Sequence, residues 1–169
     1  MVGAWHEQFK SGEPAYARNR PKTGRAVYAE IFDGRIGPPN HVKYVFLDDR
    51  ARTFFDDWPA VAHDTARILR SEAARDTQDL GPAELIDELS RTSAEFRDLW
   101  SHHDVRLPAT GLHRFHHPRV GDLELVFEAA ELRADPGLTL LLATAAPGSA
   151  TEAALLRLEA TITNTAKPH

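Results

Sequence analysis

Histidines are the residues of this chain most able to do chemistry. The sequence has nine of them and no cysteine, so a metal or haem would need imidazole ligands. Five lie close together in the sequence, as His102, His103, His113, His116 and His117. In an extended strand, successive side chains point to opposite faces, so His116 lies on the other face from its two neighbours. We therefore expect no metal or cofactor and keep a haem or metal site on these histidines as an alternative.

Paired carboxylates are the second possible source of chemistry. Asp48 and Asp49, and then Asp56 and Asp57, stand beside arginines at positions where helices begin or end. Such residues are typical of helix caps and solvated helix ends. The sequence has no phosphate loop, nucleophile elbow or glycine-rich dinucleotide turn. The residues therefore do not predict an enzyme, although an enzyme that uses the histidines remains an alternative.

The elements that must position these residues are strands in the last third of the chain. Leu123, Leu125 and Phe127 alternate with acidic residues, which is typical of a strand with one buried face and one wet face. Residues 112–117 form a second alternating run, 138–145 is mostly apolar, and the continuous leucines of this last run indicate an interior strand. The sequence thus predicts an antiparallel sheet of strands joined by short turns.

The region before this sheet has helical periodicity. Asn40, Asp57 and Thr92 are predicted to cap three of its helices, and Ser149 with Glu152 is predicted to cap a last helix after the sheet. The helix from 93 to 103 directs Phe96, Trp100 and His103 to one face. Arg67 is predicted to point outward from the long helix after Pro59. The fold class is therefore α+β, with a layer of helices covering one face of the sheet.

Bulk properties limit the possible classes of protein. A chain of 169 residues is long enough for one domain with its own core. Its net charge of −5 argues against a surface built for nucleic acid. Its apolar runs are shorter than the roughly 20 residues that span a bilayer, and its first residues lack the features of a signal peptide. We expect a cytoplasmic protein that does not enter membranes.

Several long motifs carry a resemblance to a known family. They are VFLDDRARTFFDDW at 45–58, LRSEAARD at 69–76, ELSRTSAEFRDLWSHHDV at 88–105, HRFHHPRVGDLELVFE at 113–128 and DPGLTLLLATAAPGS at 135–149. In this order and spacing, they resemble the ligand-binding domain of MmyB-like transcription regulators. The resemblance implies a PAS-like fold, an antiparallel sheet covered by a layer of helices. It also implies that the domain senses a ligand for a transcription regulator.

The resemblance also sets the domain boundaries. Residues 1–39 are expected to be an irregular N-terminal segment, with a shortened PAS entry strand at 14–20 and one short helix at 25–32. Residues 40–166 form the PAS-like ligand-binding domain, and the whole chain is a single domain. Residues 1–13 are too short for the helix-turn-helix domain of the family, so we expect no DNA binding by this chain alone. A shortened first strand would expose a sheet edge, which predicts a homodimer.

The predicted function is the binding of a small apolar molecule, similar to a fatty acid, in a pocket between helix 93–103 and strands 112–128. The residues predicted to bind the ligand are aromatic, aliphatic or histidine side chains of these elements and of the helices before them: Phe46, Trp58, Phe96, Trp100, His103, Phe115, His116, Leu125 and Phe127. A dimerisation module that binds no ligand is a further alternative.

Overall fold

The computed structural model of the protein describes residues 2–7, 27–28, 40–75, 80–102, 110–131 and 139–165. The helices are α1 (His41–Leu47), α2 (Arg50–Phe54), α3 (Trp58–Arg75), α4 (Leu80–Thr92), α5 (Ala94–Ser101) and α6 (Ala150–Thr165). The strands are β1 (Val2–Glu7), β2 (Thr110–His117), β3 (Gly121–Glu131) and β4 (Thr139–Thr144). Val27 and Tyr28 are helical, whereas the predicted entry strand at 14–20 and the rest of helix 25–32 lie outside the described residues.

The strands form one antiparallel sheet in the order β1, β4, β3, β2. This arrangement confirms the α+β fold and places β4 in the interior of the sheet, as its leucine run predicted. Directly paired residues share a face of the sheet, so Leu123 lies beside Phe115, and Leu125 lies beside His113. Leu123, Leu125 and Phe115 are buried, so this face is the inner one.

β1 was not predicted from the sequence. Its six residues pair with all of β4, from Val2 opposite Thr144 to Glu7 opposite Thr139. The segment is short and contains Gly3, so it has little strand pattern of its own. Its partner decides its conformation, because each backbone group along the edge of β4 needs a hydrogen bond.

A tight turn joins β2 to β3 and sets their register. His117 lies opposite Gly121, and Gly121 has a φ of 80°. Glycine adopts this left-handed conformation without steric cost, unlike residues with a Cβ atom. The turn therefore fixes which residues of the two strands face each other. A one-residue slip would move the inner leucines of β3 to the solvent side.

The first helices begin at the predicted caps. The Oδ1 atom of Asn40 accepts a hydrogen bond of 3.0 Å from the backbone N–H of Lys43, and Asp57 accepts one of 3.1 Å from Ala60. Both bonds satisfy backbone donors that have no partner inside the helix. The structure thus confirms these two predicted helix starts.

The cap of α5 lies one residue later than predicted. Ser93 has an extended backbone, and its hydroxyl accepts the bond from the Phe96 N–H at 3.1 Å. The Thr92 hydroxyl instead donates to the Glu88 carbonyl at 2.7 Å, so Thr92 is the end of α4. Thr92 and Ser93 are adjacent hydroxyl residues that both match the capping pattern. Their backbone conformations in the folded chain decide which of the two is the cap.

The last helix has the predicted pair of capping residues in a modified form. The Ser149 hydroxyl accepts from the Glu152 N–H at 3.1 Å, whereas the Glu152 carboxylate accepts from the Gly148 N–H at 2.7 Å. Thr151 in the first turn accepts a hydrogen bond of 2.9 Å from the Glu124 N–H. This bond fastens α6 to β3 beyond the end of β4.

The core contains aliphatic and aromatic side chains from both layers, with Leu69, Leu89, Phe96 and Leu123 fully buried. The prediction for Arg67 was wrong, because its side chain is only 12% exposed and lies 3.3 Å from Asp64. Its neighbour in the sequence, Ala66, is buried, and the packing of α3 against α1, α4 and α5 covers more of this helix than one stripe. Among the described residues, no helix is long and apolar enough to cross a membrane.

Candidate ligand-binding site

A set of aromatic rings covers the inner face of β2. The ring centroid of Phe115 lies 5.4 Å from that of Phe54, 5.6 Å from Phe55 and 6.3 Å from Tyr28. Phe54 and Phe55 are themselves 5.0 Å apart at right angles, a favourable edge-to-face arrangement. We call Tyr28, Phe54, Phe55, Phe115 and Phe127 the sheet-side cluster.

The chain between α2 and α3 holds this cluster against the sheet. Phe55 forms an isolated antiparallel bridge with Phe115, and the Asp56 N–H donates a hydrogen bond of 3.1 Å to the Arg114 carbonyl. These contacts occupy part of the outer edge of β2. The helical layer and the sheet are therefore joined by backbone pairing as well as by ring packing.

Phe127 and Leu125 extend the cluster along β3. Phe127 is half-buried, and its ring centroid lies 5.8 Å from that of Phe115. Its cross-strand neighbours are Gly111 on β2 and Ala143 on β4, both of which have small side chains or none. Large rings beside small neighbours on an inner sheet face favour an apolar recess.

Three histidines contact the sheet-side cluster: His117 lies 6.5 Å from Phe54, and His113 and His41 lie among the other rings. The His113 ring lies 5.2 Å from Phe127 and perpendicular to it. The ring also lies over Gly111, where an added Cβ atom would be 3.1 Å from Nε2 of His113. The His41 ring, at the start of α1, lies 6.0 Å from both Tyr28 and Phe55. Among the described residues, neither His41 nor His113 has a hydrogen-bond partner.

Burial determines the charge of this histidine pair. Loss of water, with a smaller contribution from His113, lowers the pKa of His41 to about 4. Burial also lowers the pKa of His113, although Asp64 and Asp57 act in the opposite direction. Both residues nevertheless keep part of their surface accessible. Their imidazoles are thus neutral near pH 7.

The predicted site residues of the helical layer lie in a different place. The Phe96 ring is 5.1 Å from Phe46 and stacks on Trp100 at 5.2 Å. We call Phe46, Trp58, Phe96 and Trp100 the helix-side set. Among the described residues, no ring contact joins this set to the sheet-side cluster. α5 packs mainly against α4 and α3, so the structure does not bring Phe96 and Trp100 beside β2.

Polar contacts occupy both tryptophans of the helix-side set. The Trp58 indole N–H donates a hydrogen bond of 3.0 Å to the Val45 carbonyl, and the Arg52 guanidinium lies 4.0 Å from its ring centroid. Arg70 covers the Trp100 ring at 4.5 Å and donates to the Trp100 and His102 carbonyls at 2.5 Å and 2.9 Å. Arg70 thereby supplies hydrogen-bond donors to backbone carbonyls at the C-terminus of α5.

His116 lies on the outer face of β2, as the strand alternation predicted for this residue. Its Nδ1 atom is 2.8 Å from Asp122, and its Nε2 atom is 3.1 Å from Asp56. These two carboxylates raise the pKa of His116, with the hydrogen bond to Asp122 as the largest cause. The structure therefore places His116 away from the inner cluster. His103 lies outside the described residues.

The structure thus brings together three of the predicted site residues, Phe115, Leu125 and Phe127. It adds four that the sequence analysis did not select, namely Tyr28, His41, Phe54 and Phe55, and it gives His113 a position among them. Strand alternation already placed His113 on the same face as Phe115. Within the described part of the chain, no group of three or more His, Cys, Asp or Glu residues could hold a metal ion.

The fold and this site define a class of protein: an α+β domain with an antiparallel sheet whose covered face carries a cluster of aromatic side chains. The sequence model of the MmyB-like transcription regulator ligand binding domain matches residues 17–158. The chain belongs to this family. A comparison with curated proteins found no match.

Proposed function

We propose that this domain binds a small apolar molecule, similar to a fatty acid, against the sheet-side cluster. The family supports a ligand-sensing domain of a transcription regulator. The observation that supports this location is the combination of Phe127, half-buried among small neighbours, with two imidazoles that have no hydrogen-bond partner in the described residues. Apolar walls with a few polar groups are typical of sites for small molecules.

The location differs from the pocket expected between helix 93–103 and the sheet. Phe46, Trp58, Phe96 and Trp100 are engaged with each other or with arginines and backbone carbonyls. Ligand entry there would require these contacts to break. The sheet-side cluster has fewer such contacts to lose, because His41 and His113 are not hydrogen-bonded within the described chain.

Ligand binding at this position can be transmitted through the Phe55–Phe115 bridge. Both rings belong to the sheet-side cluster, and their backbones join the α2–α3 connection to the edge of β2. A ligand that moves either ring changes how the helical layer meets this edge. We propose that the change alters a homodimer surface and so reports ligand occupancy.

Substitution of Phe127 tests the location. Phe127→Trp adds volume to the recess without removing the apolar wall, so we expect binding of dodecanoate to weaken at least tenfold. Trp100→Phe is the matched control in the helix-side set and should change binding less than twofold. Isothermal titration calorimetry measures both, with circular dichroism to confirm folding. Equal losses in the two variants, or no loss in Phe127→Trp, would contradict the proposed location.

An interaction module is the second candidate function. Leu112 and Val126 lie opposite each other on the outer sheet face and are 55% and 36% exposed. Such a pair favours contact with another protein, including a second copy of this chain. Native mass spectrometry of the wild type and of Leu112→Lys tests this function. A dimer that persists in Leu112→Lys would show that this face is not the contact.

A further inference from the structure

We infer that His41 and His113 form the polar end of the proposed ligand site, and that a carboxylate ligand binds there together with one proton. This inference rests on the proposed function and adds to it the chemistry of the ligand head group. No covalent bond forms or breaks. The proton comes from solvent and is shared between a carboxylate oxygen and an imidazole nitrogen.

The positions of the two rings support this role. His41 contacts Tyr28 and Phe55, while His113 contacts Phe115 and Phe127, so both imidazoles border the same sheet-side cluster. They are close enough for charge on one to lower the pKa of the other. Neither has a hydrogen-bond partner in the described residues, although both keep accessible surface. Their ring nitrogens are therefore able to bind a polar head group.

The close approach of His113 to Gly111 fixes the direction of this ring. A Cβ atom at position 111 would lie 3.1 Å from Nε2 and would push the imidazole away. Gly111 is also the partner of Phe127 across the strands. The absence of a side chain thus lets the His113 ring lie over the strand beside Phe127.

Within the described ranges, the charges around the pair do not provide a free counter-ion for a carboxylate. From α3, Asp64 faces His113 but is paired with Arg67 at 3.3 Å, and Asp57 at the start of α3 adds a further negative charge. From 27–28, the nearby titratable group is Tyr28. Strand β3 presents Leu125 and Phe127 on this side.

The remaining charges on the packed elements point elsewhere. On α1, Lys43 is paired with Glu88 at 2.6 Å. On the sheet, Arg114 is paired with Glu124 on the outer face, and Glu128 also lies on that face. Among the described residues, the cation near the pair is Arg67, which Asp64 already neutralises, so an ionised carboxylate there would be desolvated without a free counter-ion. Uptake of one proton, by an imidazole or by the carboxylate, makes the bound group neutral or pairs it with an imidazolium.

This coupling has a definite pH dependence. Near pH 7, a free carboxylic acid with an ordinary pKa of about 4 to 5 is ionised, and both histidines of the empty site, whose pKa values burial lowers, are neutral. The complex then holds one proton more than the separate partners, so the Kd rises about tenfold per pH unit. The rise continues up to the pKa of the complex. A neutral ligand of equal chain length requires no proton and has no such slope.

The experiment compares dodecanoate with dodecan-1-ol at micromolar concentration between pH 6.0 and 7.5. Titration calorimetry in two buffers of different ionisation enthalpy also counts the protons taken up. We expect a Kd for dodecanoate that rises more than tenfold over this range, with uptake of one proton, and a constant Kd for dodecan-1-ol. Binding of dodecanoate with constant Kd and no proton uptake would overturn the inference and leave the proposed function intact.

Glutamine variants assign the proton to the pair. His113→Gln and His41→Gln keep polar side chains that cannot be protonated, and we expect each to weaken dodecanoate binding at pH 6 about tenfold while dodecan-1-ol binding changes less than threefold. His116→Gln is the control on the opposite face of the same strand and should leave both ligands unaffected. If the Kd for dodecanoate depended on pH in both His113→Gln and His41→Gln as it does in the wild type, the assignment would be overturned. If neither ligand binds to folded wild-type protein, the proposed function itself fails.

Discussion

The two aromatic regions of this domain have similar compositions but differ in their polar contacts. In the helix-side set, arginines cover both tryptophans, and the Trp58 N–H bonds to a backbone carbonyl. Beside the sheet-side cluster, His41 and His113 are two imidazoles without hydrogen-bond partners in the described residues, and burial lowers the pKa of both. The difference teaches that aromatic side chains at helical spacing do not identify a binding site by themselves. The state of the polar groups among them separates packing from binding.

The largest effect that tests this comparison is expected at Phe96. Its side chain is fully buried between Phe46 and Trp100, so Phe96→Ala should lower the free energy of unfolding by about 3–5 kcal/mol. Urea denaturation measures this change. Dodecanoate binding to the remaining folded fraction should keep the wild-type Kd. A large loss of affinity for dodecanoate in Phe96→Ala protein that is still folded would place the helix-side set in the ligand site.

Acid should destabilise the domain through His41. Its pKa is about 4 in the folded protein and about 6.5 in the unfolded chain, so the unfolded chain binds the proton first as the pH falls. Stability is therefore full above pH 6.5 and decreases towards pH 4, by roughly 3 kcal/mol for a shift of this size. Denaturation of the wild type and His41→Gln between pH 7 and 4.5 measures the effect. A slope of equal size in His41→Gln would refute this origin.

The cap of the helix that carries Phe96 and Trp100 should have a smaller effect. Ser93→Ala removes the acceptor of the Phe96 N–H and should cost about 1 kcal/mol. Thr92→Ala, at the neighbouring hydroxyl, should cost less than about 0.5 kcal/mol because its bond to Glu88 is exposed. Thermal denaturation of the two variants compares them. The reverse order would restore Thr92 as the cap.

The smallest expected effect concerns His116 and has the opposite sign to that of His41. Asp122 and Asp56 raise the pKa of His116, so its stabilising contribution is full below pH 6.5 and is lost as the pH rises through the higher folded value. The residue is exposed, and we expect less than about 1 kcal/mol. Comparison of the wild type with His116→Gln at pH 5.5 and pH 8.5 measures it. A larger difference at pH 8.5 would contradict this sign.

Much of the fold follows from local patterns in the sequence. Alternation in β3, the leucine run of β4 and the caps at Asn40 and Asp57 each depend on residues only a few positions apart. The site was less predictable. Phe46 and Phe115 are both buried aromatic residues, but the ring contacts that separate them into two regions join residues far apart in the sequence.

The sequence by itself determined the inner and outer faces of β2 and β3, the helix starts at Asn40, Asp57 and Ser149, the start of α5 within one residue, and the family of the chain. It did so because side-chain periodicity and capping are local, and because long motifs are specific. Only the tertiary structure decided that β1 joins the sheet, that Arg67 is buried, and that His41 meets the ring wall of His113. These features depend on which distant segments pack together and exclude water from each other. Such contacts leave no periodic pattern in the sequence.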